Sequence, residues 1–276
     1  MKTFESKFER EGMTFFVKGW EPDASPKAVI GLVHGIGEHF GRYAHVGRTL
    51  TDAGYVLAGY DLRGHGKSTG PRGHTSSYAA LMEDIGAFLS MLAQKYPGLP
   101  LFLYGHSMGG NQVINYVLRR RPALKGLIAT SPWLRLSFEP PRIKVALARF
   151  MNKFFPAFVQ PSGLDTAGLS HDEAVIQHYE NDALNHDKVS ARLFISMYEA
   201  GLWALDHAAE LPLPLLLMHG GADPIASPEG SRQFSAKAGD KVTLKIWDGL
   251  YHEIHNEPEQ DEVFKVMVAW LDKTCS

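Results

Sequence analysis

The chain has 276 residues, 45% of them hydrophobic, which suits a single α/β domain with an insertion and a large core. Its 28 basic and 30 acidic residues leave a net charge of −2 with the signs well mixed, so nothing electrostatic points to nucleic acid or an anionic membrane. The single cysteine, Cys275, excludes an intramolecular disulfide, and no apolar run is long enough to span a membrane.

Met1–Gly12 is charged and lacks an apolar centre, so no secretory signal is read there and a cytoplasmic location is expected. Met13–Lys18 reads as an edge strand and Ala28–His34 as a buried one, followed by His34-Gly35-Ile36-Gly37. Tyr43–Ala53 has helical periodicity, Tyr55–Tyr60 reads as a strand, and Asp61–Ser68 is a turn-rich loop. Tyr78–Tyr96 is again helical in pattern. Leu101–Tyr104 is an apolar strand that leads into Gly105-His106-Ser107-Met108-Gly109, and Ser107–Arg121 reads as a helix. Gly126–Thr130 is the next strand.

From Pro132 to Glu210 the alternation breaks, with helices but no obvious strand. Within that segment Ile143, Leu147, Phe150, Phe154 and Phe158 fall at helical spacing. Such a stripe either packs onto the main domain or belongs to a lid that lines an acyl tunnel or rests on lipid, with Arg142, Arg149 and Lys153 on the wet side. Alternation resumes with strand Leu213–His219, helix Pro228–Ala238, strand Val242–Trp247 and helix Asp261–Lys273. Continuous apolar strands separated by helices imply a mostly parallel sheet covered on both faces, with ligands beyond the strands' carboxyl ends.

The chemistry-bearing residues fall at those ends. A serine between glycines at a strand-to-helix turn is the pattern of a nucleophile elbow, in which a strained backbone pushes Oγ out over the sheet. A serine hydroxyl needs a base to take its proton, and the base needs an orienting carboxylate. Asp223 follows strand Leu213–His219 and is the candidate acid, with Asp206 and Asp248 as rivals. His252 follows the last strand and is the candidate base; His255 shares its loop. A developing oxyanion needs two N–H donors, expected from Met108, at the helix start, and from Ile36. No metal or nucleotide motif is present, so no cofactor is expected.

With those residues placed, the chain resembles α/β-hydrolases of the monoacylglycerol lipase/lysophospholipase group, which share the core of the S33 serine aminopeptidases. The resemblance rests on His34–His39 with Gly41-Arg42-Tyr43, the Asp61–Ser68 loop, Gly105–Gly110, Gly-Ala-Asp223 and Tyr-His252-Glu. It covers nearly the whole chain and weakens between residues 132 and 210. It implies an α/β-hydrolase fold, a mostly parallel eight-stranded sheet with helices on both faces. Residues 1–131 and 211–276 would form the core and residues 132–210 an inserted helical lid.

The resemblance further implies a triad of Ser107, Asp223 and His252, an oxyanion hole of the Ile36 and Met108 N–H groups, and an alcohol pocket of Glu38, Arg42 and His255. The expected function is hydrolysis of long-chain monoacylglycerols to fatty acid and glycerol through an acyl-enzyme. A lysophospholipase or broad carboxylesterase is the alternative, and a proline-releasing peptidase or a silent binding protein lies further off. The expected partner is a small lipid ester, with transient membrane contact through the lid. Vertebrate monoacylglycerol lipases carry cysteines near lid and site that this chain lacks, so thiol sensitivity is not carried over.

Overall fold

The computed structural model describes residues 1–275. Eight strands form one sheet: β1 (Lys2–Arg10), β2 (Met13–Glu21), β3 (Ala28–Val33), β4 (Tyr55–Tyr60), β5 (Leu101–His106), β6 (Gly126–Thr130), β9 (Leu215–Gly220) and β10 (Val242–Trp247), in the order β1-β2-β4-β3-β5-β6-β9-β10. Only β2 runs against its neighbours. Every other adjacent pair is parallel. The fold is that of an α/β-hydrolase, as expected.

The two faces of the sheet are separated by strand periodicity. In β3, Val29 and Val33 point to one face and Ala28, Ile30 and Leu32 to the other. The first face is covered by α2 (Tyr78–Lys95), α3 (Met108–Arg120) and α7 (Pro228–Ala238), through side chains such as Phe88, Val113 and Phe234. The second is covered by α1 (Ala44–Asp52) and α8 (Gln260–Cys275), through Val46, Leu50, Met267 and Leu271.

Two expectations need correction here. The edge strand is β1, not Met13–Lys18, which lies second in the sheet. β1 is largely solvated, and its buried-side residues Phe4 and Phe8 sit four apart, a spacing that suits a helix as well as a strand. The inserted segment also contains strands: β7 (Val159–Pro161) and β8 (Lys188–Ser190) pair antiparallel. Each is three residues long, too short for a periodic signal.

Three helices lie in that segment: α4 (Arg142–Phe154), α5 (Glu173–Asn181) and α6 (Ala191–Asp206). α6 contributes Leu193, Met197, Ala204 and Leu205 to the same core cluster as α3. α4 buries only Val145. Of the two readings of the stripe, packing onto the main domain is not what the helix does: it faces outward, with Ile143 79% and Phe150 53% exposed. No helix among the described residues is long and apolar enough to cross a membrane.

Candidate active site

β5 runs directly into α3, and Ser107 occupies the junction with φ 54° and ψ −115°. A non-glycine residue held there stores on the order of 1–3 kcal/mol of strain. The flanking glycines explain how the turn is tolerated. A Cβ at Gly105 would lie 2.4 Å from the Gly109 carbonyl oxygen, and one at Gly109 would lie 2.0 Å from that of Val33. Strand, turn and helix are therefore too close for side chains at either position.

Two later strands deliver the partners. Asp223 lies in the turn after β9 and His252 in the loop after β10. His252 Nε2 stands 2.8 Å from Ser107 Oγ, and His252 Nδ1 2.7 Å from Asp223 Oδ2. All three are buried. Asp223 Oδ1 accepts the Ile225 and Ala226 amides, so the carboxylate cannot rotate freely.

The electrostatics oppose burial in both partners. Burial alone would raise the Asp223 carboxyl, but the His252 charge and hydrogen bonds from His219 and His252 hold it well below the usual carboxylate range. Burial alone would lower His252, yet the Asp223 charge and hydrogen bond outweigh it and raise the imidazole above its ordinary value. The rival carboxylates are elsewhere: Asp206 is exposed beside Lys237, and Asp248 is exposed.

Met108 opens α3, so its N–H is among those a helix leaves without an intrahelical acceptor. Ile36 lies in the loop after β3 and lines the cavity that reaches Ser107. That loop is pinned from below: the His34 ring accepts the Leu62 amide, and Asp61 accepts the Phe40 and Lys67 amides. The Asp61–Ser68 loop is thus a brace for the loop carrying Ile36. Arg63 fastens it in turn through a bidentate bond to buried Asp84.

Ser107 lines a cavity of about 590 Å³, within the range of small-molecule sites. Its walls include Trp133, Leu136, Phe138, Leu164, Val189 and Phe194. None of the α4 stripe residues lines it. Ser107 also borders a small cleft with Glu38, His106, Tyr179, His252 and Glu253, with room for about one water.

Only Glu38, of the three expected alcohol-pocket residues, borders this cleft. Arg42 lies behind it, donating one bond to Glu38 and a bidentate pair to Glu253, all at 2.7 Å. His255 is sealed below, stacked on Tyr43 and edge-on to His106, with Nδ1 unpartnered. Its burial pushes the imidazole down to about 3. In this conformation the Arg42 guanidinium is engaged by two carboxylates and the His255 ring is packed against Tyr43 and His106. Burial and the nearby Glu253 raise the Glu38 carboxyl against the pull of Arg42. Glu253 is visible in the sequence only as the neighbour of His252, and Tyr179 carried no signal at all; both are brought to the site by the fold. Among the described residues no cluster is arranged to hold a metal ion.

Residues 24–259 match the family described as Serine aminopeptidase, S33. The chain is 34% identical over 254 residues to a monoacylglycerol lipase of Mycolicibacterium smegmatis, covering 91% of this chain and 90% of that one. It is 34% identical over 257 residues to Phospholipase YtpA of Bacillus subtilis, covering 92% and 98%. A solved Paleococcus ferrophilus monoacylglycerol lipase is similar across 99% of this chain and all of its own, with a TM-score of 0.85 at 34% identity.

Proposed function

The chain belongs to the serine aminopeptidase S33 family and is a lipid ester hydrolase, and on that premise we propose that it cleaves long-chain monoacylglycerols through an acyl-Ser107 intermediate. The observation that carries this reading is a serine hydroxyl 2.8 Å from an imidazole in the wall of a largely apolar cavity. Relatives named monoacylglycerol lipase support the choice of substrate.

In the proposed mechanism His252 Nε2 takes the Ser107 proton as Oγ bonds to the carbonyl carbon. Asp223 holds the ring and balances the positive charge it acquires. The Ile36 and Met108 N–H groups receive the oxyanion, aided by the N-terminal dipole of α3. The ester C–O bond then breaks, and glycerol leaves with the proton from His252. Water repeats the sequence: its proton goes to His252, its oxygen to the acyl carbon, and Ser107 regains its hydrogen as the fatty acid departs.

The apolar walls set the acyl preference. Each buried methylene contributes roughly 0.8 kcal/mol at best. Catalytic efficiency on p-nitrophenyl esters should therefore rise from acetate to at least octanoate. A preference for acetate points to a small-ester carboxylesterase. A panel of monoacylglycerols and lysophospholipids tests the headgroup, because the phospholipase relative favours a second reading; faster turnover of lysophospholipid would establish it. A peptidase would need a carboxylate to capture a free amine, and the one acid lining the cavity, Asp165, is exposed and caps the Ala167 amide.

On the alcohol side we assign Glu38 to the glycerol hydroxyls, held in place by Arg42, the Tyr43 hydroxyl and the Gly35 amide, with His255 packed against Tyr43; glycerol then enters by widening the cleft. Leaving a hydroxyl unpaired costs about 1–3 kcal/mol. Glu38→Gln should thus lower efficiency about ten- to a hundredfold on monoacylglycerols and much less on p-nitrophenyl esters. His255→Ala, which removes packing beneath both substrates alike, should lower both equally. Equal losses in Glu38→Gln would place it in the support instead.

We take the lid as residues 132–210, with α6 packed on both α4 and α3. The outward stripe of α4, with Phe138, Phe155 and Phe158 beside it, forms an exposed apolar face of the kind that contacts membranes. Sedimentation with phosphatidylcholine vesicles checks this. The Leu147→Ser/Phe150→Ser variant should lose vesicle binding and keep turnover of soluble esters, and unchanged binding excludes the contact.

A further inference from the structure

Asp223 has a partner that the mechanism above does not use. His219, the fifth residue of β9, is fully buried. Its Nε2 stands 3.0 Å from Asp223 Oδ2 and 3.1 Å from the Ala226 carbonyl oxygen, and its Nδ1 2.7 Å from Ser231 Oγ on α7. Both atoms facing Nε2 are acceptors, so Nε2 carries the hydrogen and Nδ1 accepts from the Ser231 hydroxyl.

The Asp223 carboxylate is consequently saturated. Oδ2 receives His252 from one side and His219 from the other, while Oδ1 receives the Ile225 and Ala226 amides. Three of those four donors belong to the turn and the His252 loop, segments outside regular structure. His219 alone ties the carboxylate to a strand of the sheet, and Ser231 ties the ring to a helix.

We infer that His219, anchored by Ser231, is a positioning residue that holds the Asp223 carboxylate in register with the His252 ring. The inference rests on the proposed roles of Ser107, His252 and Asp223. Its N–H also draws charge from Oδ2. Without that bond the carboxylate attracts the His252 imidazolium more strongly, and the base stays protonated to higher pH.

A buried histidine that merely satisfies the Ala226 carbonyl would have the same burial, so the test compares two amides. In His219→Gln the side-chain nitrogen reaches the position of Nε2 and can still donate to Asp223. In His219→Asn it stops near the position of Nδ1 and faces Ser231. Both variants are assayed on a p-nitrophenyl ester across the neutral pH range, with competent enzyme titrated by a fluorophosphonate.

His219→Asn should lower kcat about ten- to a hundredfold with KM little changed, and the acid limb of kcat/KM should move to higher pH. His219→Gln should restore kcat to within about threefold and leave the limb in place. Full activity in both, or equal losses in both with an unmoved limb, overturns the inference and leaves His219 a packing residue. If the Asn chain does not fold, Ser231→Ala is read instead, with a smaller loss and the same direction of the limb; an unchanged profile there overturns the inference. Ser107→Ala and Asp223→Asn controls keep the two levels apart. If they retain activity, the underlying assignment fails and this inference with it. If they are inactive while His219→Asn is fully active, the positioning role alone fails.

Discussion

Ser107→Ala is expected to reduce ester hydrolysis on the order of a millionfold, the cost typical of losing a triad nucleophile. The substitution removes one oxygen from a position whose backbone is already set by the close approach of Gly105 and Gly109 to neighbouring carbonyls. Alanine fits the same turn. The hydroxyl's only loss to stability is its bond to His252, worth about 1 kcal/mol. Circular dichroism and melting temperature should therefore match the parent closely while turnover and fluorophosphonate labelling vanish. Activity within tenfold of the parent would remove Ser107 from the chemistry, and with it the acyl-enzyme.

Asp223→Asn should reduce turnover by about four orders of magnitude through a different route. The parent carboxylate accepts the His252 Nδ1 hydrogen, leaving Nε2 free to take a proton from Ser107. An asparagine amide can present N–H there and favours the tautomer with hydrogen on Nε2, which cannot act as the base. The pH profile adds a second readout. Activity requires neutral His252 and so rises as pH passes through its raised value, which places the parent's acid limb above the ordinary histidine value of 6.5. Removing the Asp223 charge lowers His252, so the limb of any residual activity should move to lower pH. The exposed carboxylates serve as controls. Should Asp206→Asn or Asp248→Asn be the crippling change, the acid has been wrongly assigned.

These two results bear on residues whose types and chain order are legible in the amino-acid sequence alone. Each lies just beyond an apolar strand, and the elbow's glycines mark a turn that only close backbone approach explains. The alcohol side is less legible. Glu38 and Arg42 stand four apart after the oxyanion loop and invite the reading of a matched pair at a site mouth. The fold shows a third member, Glu253, joined to Arg42 across 211 residues by a bidentate pair. His255 shares a loop with His252, yet one ring faces Ser107 and the other is sealed against Tyr43.

The stripe on α4 is a related case. Its periodicity specifies an amphipathic helix, but periodicity cannot say whether the apolar face meets the core, a ligand or solvent. The tertiary structure leaves it exposed and lines the cavity with Trp133, Leu136 and Phe194 instead. β1 escaped for the opposite reason: an edge strand solvated on most of its residues carries little apolar pattern to read.

By itself the sequence determined the α/β alternation, the strand ends at which chemistry could sit, and the serine elbow. Those features are written in periodicities and turn residues that act over a few neighbours. Tertiary structure decided which distant groups meet: His252 with Ser107 across 145 residues, His219 and His252 on one oxygen of Asp223, and Glu38, Arg42 and Glu253 locked together beside the site. Such meetings depend on strand order and loop path, and burial then sets the charge each group can hold. No local pattern encodes either, because a hydrogen bond between loops is specified by the packing of the whole sheet beneath them.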